Sequence, residues 1–337
     1  MAGTAFADPI INLVEQQVKD QGGILGGRDV KVVKYDNRAS VAEAGAGAQK
    51  LMYDEKVSAI VWGGVSGAEV HVVSNFAEEN GILFIQFGGI ESAEQKKFTL
   101  SGDISTKELT DALVNLTNKV LKPKTVAFLA ADLSDYRDRV AQYKEGMEPQ
   151  GVKTVYEQYV PQGSTDLMSY LTKIKYDKPD VLITELAPDI ILTLAVQSME
   201  LGGWGDIKVI TTGAGEYAKA RPGAQGWYII HVWIPGKQDP ASVKFQGDYQ
   251  AMFGRAPTAN HLYYYNSLWT AIYAIEAAVT DTDLLKIAQT ARFSGKLEWD
   301  TPMGHGHWTA DSMGYGGLSP TICRIEDKQM VQVTTPE

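Results

Sequence analysis

Four short constellations in this sequence carry residue types that can do chemistry. Gly64-Val65-Ser66-Gly67-Ala68 falls between a strand-like run and a helical one, the setting of a nucleophile elbow, but Ala68 stands where G-x-S-x-G needs its second glycine. A hydrolase built on it would need an aspartate and a histidine, such as His231 or His261, to converge on Ser66. The same turn suits a simpler task, because small residues at a helix N-terminus cradle an anionic or carbonyl oxygen with backbone N–H groups. His305 and His307, with Asp311 beyond, have the ligand types of a small metal site, although the glycines flanking both histidines read equally as a turn. Tyr136 in Leu133-Ser134-Asp135-Tyr136 stands at a strand-to-helix turn, where an apolar ring with a polar tip can close over a small molecule. Tyr265, Trp269 and Tyr273 share one helix face at spacings of four and read as core, while one of the tyrosines near the helix start is free to face a ligand.

The elements that must position these residues follow a rhythm of short β-rich runs, small turns and amphipathic helices. Asp8-Pro9 reads as an N-cap with proline at the first helical position, and Ile10, Leu13, Val14 and Val18 mark the buried face as far as Gly22-Gly23. Strands are expected over 29–35, 57–62 and 82–87, with helices over 40–55 and 68–80 between them. A capping box at Ser105 and Glu108 opens a helix that runs to Leu121, and Lys122-Pro123-Lys124 breaks it. A second series places strands at 125–130, 153–159, 181–184, 208–212 and 226–232, with helices at 136–150, 166–176 and 189–201. After Pro235-Gly236 the pattern is helical over 240–253, 259–279 and 284–291, and it ends in a β-like stretch from 319 to 333. Alternation of this kind implies α/β architecture with two doubly wound parallel sheets. The late helices have no sheet of their own, so they must return to the first. The expected division is 1–121 with 236–318 as one lobe and 122–235 with 319–337 as the other.

With 337 residues, two domains are also what length alone suggests. A net charge of −10 disfavours nucleic acid and anionic membrane as partners, since both need a basic face. Hydrophobic residues at 44% and charged residues at 21% are ordinary for a folded chain, and no run approaches the roughly 20 apolar residues that membrane insertion needs. The lone cysteine, Cys323, cannot close an intramolecular disulfide and reads as packing in a strand. Gly22-Gly23 and Gly26-Gly27 follow a helix and lack G-K-[ST], so they are a C-cap and a turn instead of a phosphate loop. No residue pattern calls for a cofactor.

Taken in order, Gln21 to Arg28 leading into Val32-Val33-Lys34-Tyr35-Asp36, Gln49-Lys50-Leu51, Val57 to Val61, Ala77 to Ile82, Asp135-Tyr136 and Trp299 to Gly304 resemble the type I periplasmic solute-binding proteins of ABC transporters, in the branched-chain amino-acid and amide group. The resemblance implies two α/β lobes joined by three crossovers, with a small-molecule ligand in the cleft between them. It also implies a location outside the cytoplasm, a membrane permease as partner, and no catalysis. By position it carries over a first-lobe pocket at Ser66, Gly67, Phe87 and Gly89, and a second-lobe pocket at Tyr136, Ala187, Gly213 and Glu216.

Two departures qualify it. In the family's amino-acid binders a hydroxyl helps to hold the α-carboxylate and an acid from the second lobe holds the α-ammonium; those positions are Gly67 and Gly213 here, with Ser66 adjacent and Glu216 three residues on. The expected ligand is therefore not a simple α-amino acid, because a desolvated ammonium without a counter-ion is unfavourable. The family also opens with a central strand, so the resemblance implies that a first strand and an export signal lie upstream of Met1, or that another strand fills the gap. A ligand-sensing regulator of the same fold and a serine hydrolase using Ser66 are the alternative readings.

Overall fold

The computed structural model describes residues 2–38, 40–62, 67–87, 96–102, 104, 106–307 and 320–333. In chain order the elements begin with helices α1 (Ala2–Asp20) and α2 (Val41–Tyr53), then β1 (Ala59–Val61), α3 (Gly67–Asn80), β2 (Leu83–Gln86), β3 (Thr99–Ser101) and α4 (Thr106–Asn115). There follow β4 (Thr125–Ala131), α5 (Ser134–Met147), β5 (Lys153–Val160), α6 (Met168–Asp177), β6 (Val181–Glu185), α7 (Pro188–Glu200), β7 (Lys208–Thr212) and β8 (Tyr228–His231). The chain continues with α8 (Pro240–Phe253), α9 (Ala259–Ala278), α10 (Leu284–Phe293) and two hairpin pairs, β9 (Glu298–Thr301) with β10 (Gly304–His307) and β11 (Thr321–Glu326) with β12 (Gln329–Gln332). It divides into unit 1, residues 1–105 with 233–319, and unit 2, residues 106–232 with 320–337.

Unit 1 carries a parallel sheet in the order β1-β2-β3. Ile60, Trp62 and Phe84 bury one face against Val70, Val73 and Ala77 of α3 and Ala44 and Ala48 of α2. α9 packs on β1 and β2 as well as on α1 and α10, which explains why its sequence is apolar nearly all round. The expected run Tyr265, Trp269 and Tyr273 forms a line of ring contacts along it that ends on Trp299.

Unit 2 holds a seven-stranded sheet, β12-β11-β8-β7-β6-β4-β5, parallel from β4 to β8 and antiparallel where β11 joins β8. Strand alternation divides its core: Leu129, Leu182 and Ile229 face Leu171 of α6 and Ile190, Ile191 and Leu194 of α7. Phe128, Ile183 and Ile230 face Val140, Tyr143 and Met147 of α5. Each such side chain is worth about 1.5–3 kcal/mol when fully buried. The stretch 319–333 proves to be a hairpin turning on Asp327 and Lys328, both at positive φ (48° and 65°), the twist that two-residue hairpin turns require.

Several expectations change. The helix after Ser105 belongs to unit 2: Leu113 and Leu116 are wholly buried with Phe128 and Tyr143, so the first crossover comes before that helix instead of after it. Pro9 lies inside α1, whose preceding turn is held where Phe6 meets the His261 ring edge-on at 5.2 Å; Asp8, expected as the cap, accepts from Lys34 Nζ at 2.8 Å. Residues 29–35 form no strand. Side chains of α1 and α2 hold that run instead: Glu15 accepts from the Val32 N–H, and Glu43 from the Tyr35 hydroxyl, both at 2.8 Å. The short strands β3, β9 and β10 were not anticipated, being only three or four residues each.

Backbone proximity at Gly223 leaves no room for a side chain, since a Cβ there would lie 1.8 Å from the Ala195 carbonyl oxygen, whereas Gly247 in α8 has open space. Gly223→Ala is expected to destabilise the protein by more than about 2 kcal/mol and Gly247→Ala to stabilise it by about 0.5–1 kcal/mol, read from urea unfolding midpoints at constant slope. His261 gives a pH signature. It accepts from the Thr258 N–H that it caps, its Nε2 is buried without a partner, and burial pulls its pKa down from 6.5 to about 4. The unfolded chain therefore binds a proton that the folded chain refuses between those values, so stability falls as pH is lowered from 6.5 to about 4. His261→Gln should flatten that limb of the stability–pH curve.

Candidate functional site

Within each unit the parallel strands deliver their carboxyl ends to one edge of the sheet, and Phe87, Tyr136, Ala187 and Gly213 follow the ends of β2, β4, β6 and β7. In unit 1, Gly67 opens α3 directly after β1. Ser66, Gly88 and Gly89 lie outside the described residues, as does Asp311. Phe87 follows β2, is buried, stacks on Tyr263 with centroids 5.5 Å apart and planes 8° off parallel, and meets Tyr264 edge-on at 4.9 Å. The tyrosines at the start of α9 thus join the site, and burial raises the pKa of the Tyr264 hydroxyl above its usual 10.0.

In unit 2, Tyr136 sits in the first turn of α5, where the Arg139 guanidinium carbon lies 5.5 Å from its ring centroid. Arg139 Nη1 is 3.6 Å from Oε2 of Glu185, the last residue of β6 and only 2% exposed. That carboxylate is satisfied from two further sides: the Tyr143 hydroxyl donates to Oε1 at 2.5 Å, and the Thr212 hydroxyl at the end of β7 donates to Oε2 at 2.8 Å. Burial first, then the Glu185 charge and its hydrogen bond, hold the Tyr143 pKa well above 10.0.

Ala187 supplies the N-cap of α7, with Pro188 following, and packs its methyl on the unit 2 core. Gly213 begins a 3-10 turn to Ala218, and a side chain at that position would point toward His231 Nε2, 3.7 Å away. Glu216 from the same turn faces His231 at 3.5 Å. The acid three residues beyond Gly213 therefore already stands against an imidazole.

Arg139, Tyr143, Glu185 and Thr212 were not picked out from the sequence. Two signals were available: Arg139 and Tyr143 fall three and seven residues after Tyr136, on one helical face, and Glu185 is a charge ending an otherwise uncharged, fully buried run from Val181. The chemistry suggested elsewhere is differently disposed. His305 is exposed and bonds Asp300 at 2.8 Å across the β9–β10 hairpin, and no cluster of metal-binding side chains occurs among the described residues. Burial pushes the Cys323 thiol up to about 12, which leaves it inert at neutral pH. No described helix is long and apolar enough to cross a membrane.

Replacing Tyr143 by Phe removes one donor from a buried carboxylate and is expected to cost about 1–3 kcal/mol. The raised tyrosine pKa contributes stability that is complete below pH 10 and lost as pH rises beyond it, so Tyr143→Phe should also unfold less steeply on the alkaline side. Denaturant titrations at pH 8 and above pH 10 check both.

Comparisons with known proteins identify the family and the fold. A sequence model of the family described as periplasmic binding protein matches residues 11–315. A leucine-binding protein from Thermotoga maritima MSB8 superposes with a TM-score of 0.82 at 18% identity, covering 98% of this chain and 94% of that one. A solute-binding protein of an ABC transporter from Rhodopseudomonas palustris BisB5, in complex with 3,4-dihydroxybenzoic acid, gives 0.82 at 18% identity, covering 98% and 93%. An ABC-transporter substrate-binding protein from Sphaerobacter thermophilus gives 0.85 at 16% identity, covering 99% and 93%. At such identities the likeness establishes the fold. Curated protein sequences give no match.

Proposed function

The chain belongs to the periplasmic binding protein family, and from that premise we propose that it captures a small polar or aromatic organic ligand between its two units, outside the cytoplasm, for uptake by the membrane permease of an ABC transporter. In this reading Ser66, Gly67, Phe87 and Gly89 form the unit 1 surface of the cleft, and Tyr136, Ala187, Gly213 and Glu216 form the unit 2 surface. Turn N–H groups and Ser66 hold a ligand oxygen, and the aromatic rings pack on its body. No bond is made or broken.

The observation that carries the reading is the Tyr136–Arg139–Glu185 constellation at the carboxyl edge of the unit 2 sheet. A buried, multiply bonded carboxylate holds a guanidinium beside an aromatic ring, and that preorganisation supports recognition of a small molecule at this edge. Against an α-amino acid held in the family's usual manner stand Gly213, where the acid is missing, and Glu216, which faces His231. The structural neighbours support breadth of ligand, one named for leucine and another holding a dihydroxybenzoate.

A thermal-shift screen over amino acids, amides, aromatic acids and short-chain acids tests the proposal, because a compound bound only by the folded state raises apparent stability by about 2.7 kcal/mol at 100 times its Kd. A stabilising compound is expected, and Tyr136→Ala should weaken it at least about tenfold, measured against the variant's own unliganded Tm, which falls because the ring packs on the unit 2 core. Tight leucine or valine binding by calorimetry would remove the exclusion of simple amino acids. Ester turnover abolished by Ser66→Ala would replace the binding reading altogether.

A further inference from the structure

Unit 1 contains a buried carboxylate that its own donors do not satisfy. Glu69, in the first turn of α3, is 2% exposed; its Oε1 is shut off from solvent with no hydrogen-bond partner, and among the described residues no ion pair includes it. Its position follows from the packing of α3 on the sheet. Val73, one turn further on, packs in the cluster with Ile60, Trp62 and Phe84, and Ser74 bonds Thr99 at 2.7 Å. Register extends this face to the carboxyl edge: Phe84 lies beside Ile60 and Thr99, so Gln86 and Trp62, each two residues further along, point to the same side as Phe84 and Ile60. Glu69 precedes Val73 by four residues, which places it on the sheet-facing side of α3 at that same edge.

Gln86 is 1% exposed, and its Oε1 is likewise buried without a donor; the Trp62 indole N–H is buried without an acceptor. Among these three residues two orphan acceptors, one of them charged, thus accompany one orphan donor, and on α9, which packs on β1 and β2, Asn266 and Ser267 also keep buried polar atoms without partners. An ionised carboxylate withdrawn from water is strongly unfavourable unless a cation or several donors meet it. The dipole of α3 favours a negative charge in its first turn without giving Oε1 a donor.

We propose that Glu69, with Gln86 beside it, selects a ligand bearing a nitrogen cation, an ammonium or amidinium, with the Trp62 ring at the same edge able to face the charge. The proposal rests on the solute-binding reading above and narrows it. It also gives the departure at Gly213 a chemical counterpart: an acid absent at that position of unit 2 stands in unit 1 at Glu69.

Thermal shift of wild type and Glu69→Gln with tyramine, benzamidine, the neutral alcohol 4-(2-hydroxyethyl)phenol and 4-hydroxybenzoate tests this. The amine and the amidine are expected to raise the wild-type Tm and the alcohol to leave it unchanged. Glu69→Gln should lose the cation response at least tenfold in apparent affinity while its unliganded Tm equals or exceeds that of wild type, since an amide there carries no uncompensated charge. Gln86→Leu should weaken the same response. Ser66 and Glu69 also have capping-box spacing, and glutamine serves that role equally. Unchanged cation binding in Glu69→Gln would therefore mean that Glu69 is only a cap, and would overturn the proposal. A lower unliganded Tm in Glu69→Gln would overturn it too, by showing the charge to be compensated within the fold. Stabilisation by 4-hydroxybenzoate or other uncharged and anionic compounds alone removes the cation preference and leaves solute binding standing, whereas no response to any compound in the wider screen removes both.

Discussion

Parallel strands cannot be joined by tight turns. Each must be followed by a crossover that returns the chain to the starting edge, so the carboxyl ends of all strands in a sheet gather on one side. That constraint organises both units here. It brings Trp62, Gln86 and Phe87 to one edge of the unit 1 sheet, and Glu185 and Thr212, with Tyr136 from the helix that follows β4, to one edge of the unit 2 sheet. Residues far apart in sequence become neighbours because backbone connectivity leaves them no other place.

The two edges are chemically unlike. At the unit 2 edge a single carboxylate is surrounded by its own donors, with Tyr143, Thr212 and Arg139 all directed to Glu185. A group so satisfied is rigid, and it holds the Arg139 guanidinium in place beside Tyr136. At the unit 1 edge the balance is reversed: among the described residues, Glu69 Oε1, Gln86 Oε1 and the Trp62 indole nitrogen are buried without a partner. Fully satisfied polar networks specify structure, whereas buried polar groups without partners are costly to a fold.

Element type was legible wherever local signals agreed. α8 follows Asp239, whose carboxylate accepts from the Ser242 N–H, and Pro240, and it stops at Gly254 with φ of 68°, so cap and proline mark its start and glycine its end. Local signals misled where a partner was needed to decide. The run from Asp29 to Tyr35 alternates as a strand does, yet pairing requires a neighbour at ladder distance, and side chains of α1 and α2 take that role instead. Asp8-Pro9 resembles a helix start, but the preceding turn is retained by the contact of Phe6 with His261, a residue more than 250 positions away. The helix opened at Thr106 follows its apolar face into the unit whose core fits it, and a proline after its end does not decide that choice.

The candidate site divides along the same line. From sequence alone came the α/β class, the return of the last helices to the first sheet and the turns at Gly67, Phe87, Tyr136, Ala187 and Gly213, because periodicity, caps and glycine-rich turns are properties of short segments. Tertiary structure alone decided that Arg139, Tyr143 and Thr212 surround Glu185, that Glu216 is turned toward His231, and that Glu69 is buried with no hydrogen-bond partner for its Oε1 among the described residues. Those are facts about which polar atoms find partners across a packed interior. Partnership and desolvation depend on distances between segments that no local pattern encodes.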